Sequence, residues 1–393
     1  MAKIIPLKGF KVVEMSNMVT ASLSSMMLAQ QGADVVKVEP LGIGDKLRHF
    51  GSQKKGISGA FNNCNRGKKG LAINLKDPRG VDAVRKLILD ADILIHNYRP
   101  GVMSKLGLGS KAVRSAKPEL IVCSLTGFGR MGPLKDAPAL DHVIQAMSGF
   151  TDVQGHESHK DYVRMLICDK VTAYTAAQAV TSAIVHRLRT GEGQHIDISM
   201  LAASLAFLWP DGMMHETLQA DDVVNLAPAS AYYQTFKTED GMIAAAPFGD
   251  PEWNAVFKIL NRPDLAANPK YNTLLGRAQN ITDLFAELDK IKFEMSCEEA
   301  LTVLREADVA CAPCLSLDQL PRHEQIKAIG AIETQIHPHL GPLQMAAAPV
   351  WFGGEPQNPL GPSPLLGEHT ESVLRALGYK PGVLKDMREA GII

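Results

Sequence analysis

Short apolar runs alternate with helical patterns along the first 150 residues, and this alternation limits the possible folds more than any other feature. The runs that predict strands are "KVVEM" (11–15), "ADVVKVE" (33–39), "GLAINL" (70–75), "DILIHN" (92–97) and "ELIVCSL" (119–125). A helix, "TASLSSMMLAQQ", follows the first run and stops at Gly32, and Asp77 followed by Pro78 is typical of a helix start. Strands and helices alternating at these lengths indicate βαβ units and a parallel, doubly wound sheet in an α/β protein.

Parallel sheets of this kind bind ligands at the carboxyl ends of their strands. Two loops at such ends are "HNYRPGV" and "TGFGRMGPLKDAP". The second contains G-x-G-x-x-G at Gly127, Gly129 and Gly132. A dinucleotide site needs a helix to open within that motif, whereas Pro133 and Pro138 continue this segment as a loop. The motif therefore does not predict NAD binding.

The composition changes after about residue 205, which predicts a second domain. "YYQTFKTEDGMIAAAP" (232–247) predicts a β-hairpin, and helical patterns follow to about residue 308. The Pro- and Gly-rich stretch 335–365 predicts a long extended connection, and two short helices close the chain. We therefore expect a large N-terminal part (1–210), a small α+β domain (225–325) and a returning C-terminal part (335–393).

Composition also excludes several functions. The net charge of −1 over 393 residues gives no electrostatic reason to expect nucleic acid as a partner. No run of about 18 apolar residues is present, so no membrane span is predicted. Six cysteines in so long a chain do not suggest a disulfide framework. We therefore expect a cytoplasmic protein. "CAPC" (311–314) has no second cysteine pair, and "HESH" (156–159) lacks the H-E-x-x-H spacing. No metal site is therefore predicted. The two cysteines of "CAPC" are expected to be buried.

One acid, Asp169, stands in the stretch "VRMLICDKVTAYTAAQAV", behind an apolar run and ahead of a helical pattern over 171–189. Asp is a good helix N-cap, because its oxygen accepts the unpaired N–H groups of the first turn. A functional carboxylate is the other interpretation, and the local sequence alone does not decide between them. Cys168 is a weaker candidate nucleophile, since no nearby His or Asn accompanies it.

Six stretches occur in an order that resembles one family, the family III CoA-transferases of the CaiB/BaiF group. They are "QQGADVVKVEPLGIGDKLR" (30–48), "NRGKKGLAINLKDPRG" (65–80), "ADILIHNYRPGVMSKLGLG" (91–109), "SLTGFGRMGPLKDAPALDHVIQAMSGF" (124–150), "GEGQHIDISMLAASLA" (191–206) and "GEHTESVLRALGYKPGVLKDMREAGII" (367–393). The resemblance covers almost the whole chain. One loop departs from it: "MVTASL" (18–23) stands where many members carry Gly-Pro.

The resemblance implies a Rossmann-like large domain built from both chain ends, a small central domain, and two subunits interlocked as a homodimer. It implies that Asp169 is the catalytic residue, that acyl-CoA and a small carboxylic acid are substrates, and that no cofactor is permanently bound. By the same resemblance, the residues of the CoA site are Val19, Thr20, Asn74, Leu75, Lys76, Asn97, Tyr98, Arg99, Lys105 and Lys135.

A carboxylate suits CoA transfer, because it can become an acyl anhydride and then a thioester. We expect the helix N-terminus to keep the pKa of Asp169 low, and the apolar run 165–168 to limit water. The alternatives are an acyl-CoA racemase and a non-catalytic CoA-binding protein. A racemase needs an acid–base pair, usually His before Asp, whereas Leu140 precedes Asp141 here and His142 follows it.

The acceptor acid is not identified by the sequence. Arg48 and His49 follow the strand at 33–39 and would suit the second carboxylate of a diacid, but exposed basic side chains often have no such role.

Overall fold

A computed structural model describes residues 3–155 and 159–393, so most of "HESH" lies outside the described residues. The chain forms two compact units. The larger comprises the described residues up to Phe207 together with Lys327–Ile393, and the smaller is Leu208–Ile326.

The larger unit contains most of the regular structure. Its strands up to residue 199 are β1 (Lys11–Met15), β2 (Asp34–Glu39), β3 (Gln53–Lys54), β4 (Ile57–Ser58), β5 (Lys69–Ala72), β6 (Ile93–His96), β7 (Ile121–Thr126) and β8 (His195–Ser199). Its helices over the same part of the chain are α1 (Thr20–Gln30), α2 (Gly59–Asn65), α3 (Pro78–Asp90), α4 (Val102–Lys105), α5 (Ser110–Ala116), α6 (Asp141–Met147), α7 (Phe150–Gln154) and α8 (Ile167–Thr190), and α9 (Met200–Gly212) follows β8.

Six strands form one parallel sheet in the order β5-β2-β1-β6-β7-β8. This is a doubly wound order, and the direction of winding reverses between β1 and β6. The five strands predicted from apolar runs are confirmed within a few residues, and β8 was missed. Asp77 accepts the Arg79 N–H as the predicted cap, with Pro78 at the start of α3. The predicted helix end is also confirmed, because Gly32 has a φ of +100° and a side chain there would collide with Ile5.

The two faces of the sheet are covered by different helices, and most strand side chains on both faces are apolar. On one face, α1 and α8 pack against Val12, Ile93, Ile95 and Cys123. On the other face, α3 and α5 pack against Val13, Leu94 and Val122.

The C-terminal return contains more structure than its composition suggests. The expected extended connection over 335–365 was wrong, because the segment includes two β-hairpins. The C-terminal elements are α15 (Glu324–Ala328), β12 (Ile332–His337), β13 (Gly341–Ala346), β14 (Trp351–Phe352), β15 (Glu355–Pro356), α16 (Thr370–Ala376) and α17 (Pro381–Glu389). The two last helices were predicted, and they bury Leu374 and Met387 in the core beside α3.

The smaller unit has its own apolar core and a three-stranded antiparallel sheet in the order β11-β10-β9. Its elements are α10 (Met214–Thr217), β9 (Thr235–Lys237), β10 (Met242–Ala245), α11 (Asp250–Ile259), α12 (Pro263–Ala267), α13 (Leu274–Leu288), α14 (Cys297–Glu306) and β11 (Cys311–Pro313). The hairpin predicted over 232–247 is confirmed as β9 and β10. The expectation that "CAPC" is buried was wrong, because Cys311 is half-buried and Cys314 is exposed.

Within residues 3–155 and 159–393, no helix has both the length and the apolar character needed to cross a lipid bilayer. In the same ranges, no three His, Cys, Asp or Glu side chains are grouped so that they could hold a metal ion.

A buried carboxylate, Glu14 in β1, connects the strands on the α1 side of the sheet. Its Oε1 and Oε2 lie 2.6 Å from the Nζ atoms of Lys37 and Lys68, respectively. Ser16, Ser22 and Ser25 also donate to it. The pKa of Glu14 is therefore held far below its usual value, because the two ammonium groups outweigh the effect of burial.

We predict that Glu14→Gln lowers the free energy of unfolding by about 3–5 kcal/mol, because it leaves two buried lysines with one carboxylate fewer. Chemical denaturation measures this loss. The matched control is Asp90→Asn, which removes the exposed Lys11–Asp90 pair and should change stability by less than about 1 kcal/mol. Equal, small losses in both variants would contradict a structural role for Glu14.

Candidate active site

The loops that follow β1 and β6 meet where the winding of the sheet reverses. The Asn97 side chain joins them: its Oδ1 accepts the Asn17 N–H at 3.0 Å, and its Nδ2 donates to Asn17 O at 2.6 Å. Nδ2 also lies 3.1 Å from Thr20 Oγ1, at the first residue of α1. The fold therefore brings together Val19, Thr20 and Asn97 of the expected CoA site, at the edge where doubly wound sheets bind ligands.

The remaining expected CoA residues come from the segments that follow β5, β6 and β7. Asn74, Leu75 and Lys76 follow β5, which is two strands from β1 and so about 10 Å away. Lys105 ends α4 and Lys135 lies in the loop after β7, and both are exposed. The other two, Tyr98 and Arg99, line a cavity beside β6, and burial raises the pKa of the Tyr98 phenol.

Asp169 lies in the first turn of α8, but it is not the cap. The helix begins at Ile167 and its N-cap residue is Leu166, so the N-cap interpretation was wrong. Because α8 connects the parallel strands β7 and β8, it runs against them, and its N-terminus lies at the carboxyl edge of the sheet. Asp169 is thus carried to the same edge as the loops after β1 and β6.

The Asp169 carboxyl group is buried next to a second acid. Its residue is only 8% exposed, and Asp141 Oδ1 accepts the Asp169 backbone N–H at 2.9 Å. Burial raises the pKa of Asp169 to about 7, and repulsion from Asp141 adds to the rise. The expectation of a low pKa was wrong, because desolvation of a buried carboxylate outweighs the helix dipole here.

Gln145, one turn after Asp141 on α6, holds this acid in place. Its Nε2 donates to Asp141 Oδ2 at 2.6 Å and to Val163 O and Met165 O at 3.1 and 3.0 Å. Its Oε1 accepts the Val163 N–H at 3.0 Å. Gln145 therefore ties α6 to the segment that leads into α8. Sequence reasoning missed this residue, although the four-residue spacing from Asp141 placed both on one helix face.

The competing nucleophile and base are poorly placed. Cys168 is fully buried, and desolvation raises the pKa of its thiol to about 11, so its reactive thiolate is scarce at neutral pH. His142 is exposed on α6, while Asp141 beside it in the sequence is buried. His142 therefore does not supply the base that a racemase requires beside the buried acids.

The two basic residues suggested for a second carboxylate differ, because Arg48 is buried and His49 is exposed. Arg48 is buried, and its Nε and Nη2 pair with Glu39 Oε1 and Oε2 at 2.8 and 2.7 Å. Both suggestions for Arg48 were therefore wrong, since it is neither a surface residue nor available to a substrate. His49 is exposed, and its Nε2 lies 3.1 Å from Ile43 O.

The fold and the site define a class: a doubly wound α/β protein with a buried, weakly acidic carboxyl group at the ligand-binding edge of its sheet. Residues 7–370 match the model of CoA-transferase family III. The chain is 30% identical to succinyl-CoA:glutarate CoA-transferase of Mus musculus, over 99% of this chain and 90% of that protein. It is 27% identical to formyl-CoA:oxalate CoA-transferase of Escherichia coli O157:H7, over 98% of each chain.

A solved structure agrees with these relatives. The crystal structure of a CaiB/BaiF family protein from Brucella suis superposes with a TM-score of 0.81 at 28% identity, covering 95% of this chain and 100% of the other. The chain belongs to CoA-transferase family III, and the resemblance inferred from its six stretches is confirmed.

We predict that the Asp169 carboxyl group titrates with a midpoint of about 7. Carboxyl-carbon NMR of the wild type, with Asp169→Asn used to assign the signal, measures the midpoint. The folded protein keeps this proton to a higher pH than the unfolded chain does. The wild type should therefore lose stability relative to Asp169→Asn as the pH rises from about 4 to about 7. A midpoint near 4 would show that the carboxyl group is solvated.

Proposed function

We propose that the protein transfers CoA from an acyl-CoA thioester to a free carboxylic acid through a covalent intermediate on Asp169. The observation that carries this proposal is the buried Asp169 carboxyl group at the carboxyl edge of the sheet, where CoA-sized ligands of doubly wound proteins bind. CoA and acyl-CoA act as substrates, and no resident cofactor takes part.

The exchange proceeds in four steps, each of which conserves charge and atoms. The Asp169 carboxylate attacks the donor thioester carbonyl, which forms an aspartyl–acyl anhydride and releases CoA thiolate. The thiolate attacks the aspartyl carbonyl, giving an aspartyl–CoA thioester and the free donor acid. The acceptor carboxylate then attacks this thioester, forming a new anhydride and releasing thiolate again. Finally the thiolate attacks the acceptor carbonyl, which yields the product thioester and restores Asp169.

The surroundings of Asp169 suit these steps. Its raised pKa makes the ionised form a stronger base, and therefore a better nucleophile, than an ordinary carboxylate. Burial keeps water from an anhydride that it would hydrolyse. The hydrogen bond that the Asp169 N–H donates to Asp141 fixes the first turn of α8 without occupying the Asp169 side chain. The same features imply that transfer accelerates as the pH rises through about 7.

We predict that Asp169→Asn is folded, still binds CoA and is inactive, because an amide cannot form the anhydride. Since Asp169 is not a cap, no capping bond is lost. Short mono- and dicarboxylic acids, tested with succinyl-, formyl- and acetyl-CoA, measure activity. Wild type given donor alone should also form a hydroxylamine-trapped hydroxamate on the Asp169 peptide, seen by mass spectrometry.

Three outcomes would contradict the proposed function. Full transfer by Asp169→Asn, with no deamidation back to Asp, would remove the covalent role. Rapid exchange of the α-proton of a 2-methylacyl-CoA in deuterated water, persisting in Asp169→Asn, would instead support the racemase alternative. Tight CoA binding with no turnover of any acyl-CoA and acid pair would support the non-catalytic alternative.

We also propose that CoA lies across the reversal point, against Val19, Thr20 and Asn97, with the exposed lysines near its phosphates. Lys105→Ala should weaken CoA binding about tenfold, because a hydrogen bond to a charged group contributes about 1.5–3 kcal/mol. Calorimetry measures the affinity. Lys8→Ala is the control, since Lys8 is exposed and precedes β1, at the opposite edge of the sheet. Unchanged affinity in Lys76, Lys105 and Lys135 variants alike would place CoA elsewhere.

We propose, finally, that the protein is an interlocked homodimer. Large apolar side chains are exposed in the single chain, among them Leu140 before α6, Met165 before α8, Tyr174 on α8 and Phe207 on α9. Exposed apolar side chains in such number support a protein–protein contact. Interlocked chains cannot separate without unfolding, so sedimentation over a wide dilution series should show no folded monomer. A stable folded monomer at nanomolar concentration would contradict this arrangement.

A further inference from the structure

A cavity of about 400 Å³ is lined by residues at the carboxyl end of β6, in β7 and in the first half of β8, on the β6 side of the reversal point. Its base is formed by one residue from each strand: His96 at the end of β6, Ser124 in β7 and His195 in β8. Its rim includes helix and loop residues with cationic side chains, namely Arg99, Lys111, Arg114 and Arg130. None of the residues at the base takes part in the proposed transfer.

Hydrogen bonds connect the three side chains at the base of the cavity, and the position of Asp197 gives the direction in which they donate. Ser124 Oγ lies 2.9 Å from His96 Nε2 and 2.8 Å from His195 Nε2. His195 Nε2 also lies 3.4 Å from Asp197 Oδ1. Because a carboxylate oxygen only accepts hydrogen bonds, we infer that Nε2 is the protonated nitrogen of His195. It then donates to Ser124, and the Ser124 hydroxyl donates to His96 Nε2. This order leaves the proton of His96 on Nδ1.

Two buried donor atoms, on residues that line this cavity, lack partners within the described residues. They are His96 Nδ1 and Arg114 Nε. His96 is only 8% exposed, and burial lowers its pKa to about 4, so it is a neutral N–H donor at neutral pH. Buried donors are normally paired, so two donors without a protein partner, on residues that line one cavity, suit a ligand that accepts hydrogen bonds.

The charged residues that line the cavity indicate that this ligand is an anion. Four cations face one carboxylate, Asp197, which is itself paired with Arg130 at 2.6 Å. Guanidinium groups bind phosphate and carboxylate oxygens in pairs. The cations come from several elements, which suits the tetrahedral oxygens of a phosphate better than the planar carboxylate.

This cavity is on the other face of the sheet from Asp169. Strand register places His96 beside Met15 and Ser124, in the set of positions that faces α3 and α5. The alternate positions Ile95 and Cys123 face α1 and α8. Since side chains alternate along a strand, the cavity and the helix that carries Asp169 are separated by the sheet itself.

We propose that this cavity, based on His96, Ser124 and His195, binds a phosphate group of a small-molecule ligand. The phosphate oxygens accept hydrogen bonds from His96 Nδ1–H and from the guanidinium groups of Arg114 and Arg130. Ser124 fixes the tautomer of His96 by donating to its Nε2. A hydrolytic Ser–His–Asp role is excluded by geometry, because His195 uses the same nitrogen, Nε2, toward both Ser124 and Asp197. The proposal does not depend on the transfer mechanism.

Calorimetry with inorganic pyrophosphate on the full-length protein tests the site. Wild type should bind it, and Arg114→Gln and Arg130→Gln should each weaken binding at least tenfold. Arg130 is 57% exposed, so its variant should fold normally even if Arg114→Gln does not. Arg189→Gln is the matched control, because Arg189 is exposed in the last turn of α8. Its affinity for pyrophosphate should equal that of the wild type.

Nitrogen NMR of the imidazoles gives a second readout that does not depend on affinity. The free protein should show His96 protonated at Nδ1, and pyrophosphate should shift that signal. Absence of binding at millimolar pyrophosphate and low salt, or equal binding in all four proteins, would overturn the proposal. Tighter binding of malonate than of pyrophosphate would also overturn it, because the site would then be a carboxylate site.

Competition identifies the source of the phosphate. If CoA and 3′-phosphoadenosine 5′-phosphate both displace pyrophosphate, the cavity holds the nucleotide end of CoA. If pyrophosphate still binds the CoA-saturated protein, the ligand is a separate phosphorylated molecule. Both results support a phosphate site. The Asp169→Asn variant should bind pyrophosphate as the wild type does, so failure of the transfer mechanism and failure of this proposal are distinguishable.

Discussion

The buried charges around Glu14 set the geometry on which the rest of the ligand-binding edge depends. Lys37 bridges Glu14 to Asp45 at 2.6 and 2.8 Å, and Asp45 in turn accepts the N–H of Met18 in the loop after β1. Met18 has a φ of 66°, which non-glycine residues rarely adopt. A buried ion pair adds little net stability, so its main effect is to fix this loop in one conformation.

That loop connects the charge cluster to both proposed sites. Asn17, next to Met18, pairs with Asn97, which directly follows His96 at the end of β6. Hence Asn97, just after β6, is a proposed CoA contact, and His96, the last residue of β6, lies at the base of the phosphate cavity. Because consecutive side chains point to opposite faces of a strand, one strand end can serve both faces of the sheet.

The sequence predicted those parts of the fold that follow from local patterns. Five strands of the sheet were predicted because each is a short apolar run. Helix α3 was predicted because Asp77 caps it and Pro78 begins it. The strand β8 was missed, although "HIDIS" alternates, and with it His195 was missed. The raised pKa of Asp169 was not predictable, because it arises from burial and from Asp141, 28 residues away. A helix dipole is visible in sequence, whereas desolvation is a property of the packed structure.

The pair Asp141 and Asp169 shows how one buried acid can set the chemistry of another. Asp141 does not bond to the Asp169 carboxylate, but it holds the backbone of Asp169 and repels the negative charge of its side chain. The first effect fixes the position of the carboxyl group, and the second raises its basicity. Gln145 satisfies the other oxygen of Asp141, which keeps that acid from turning toward a substrate. The basicity of the proposed nucleophile is therefore set first by its burial and then by an acid on α6.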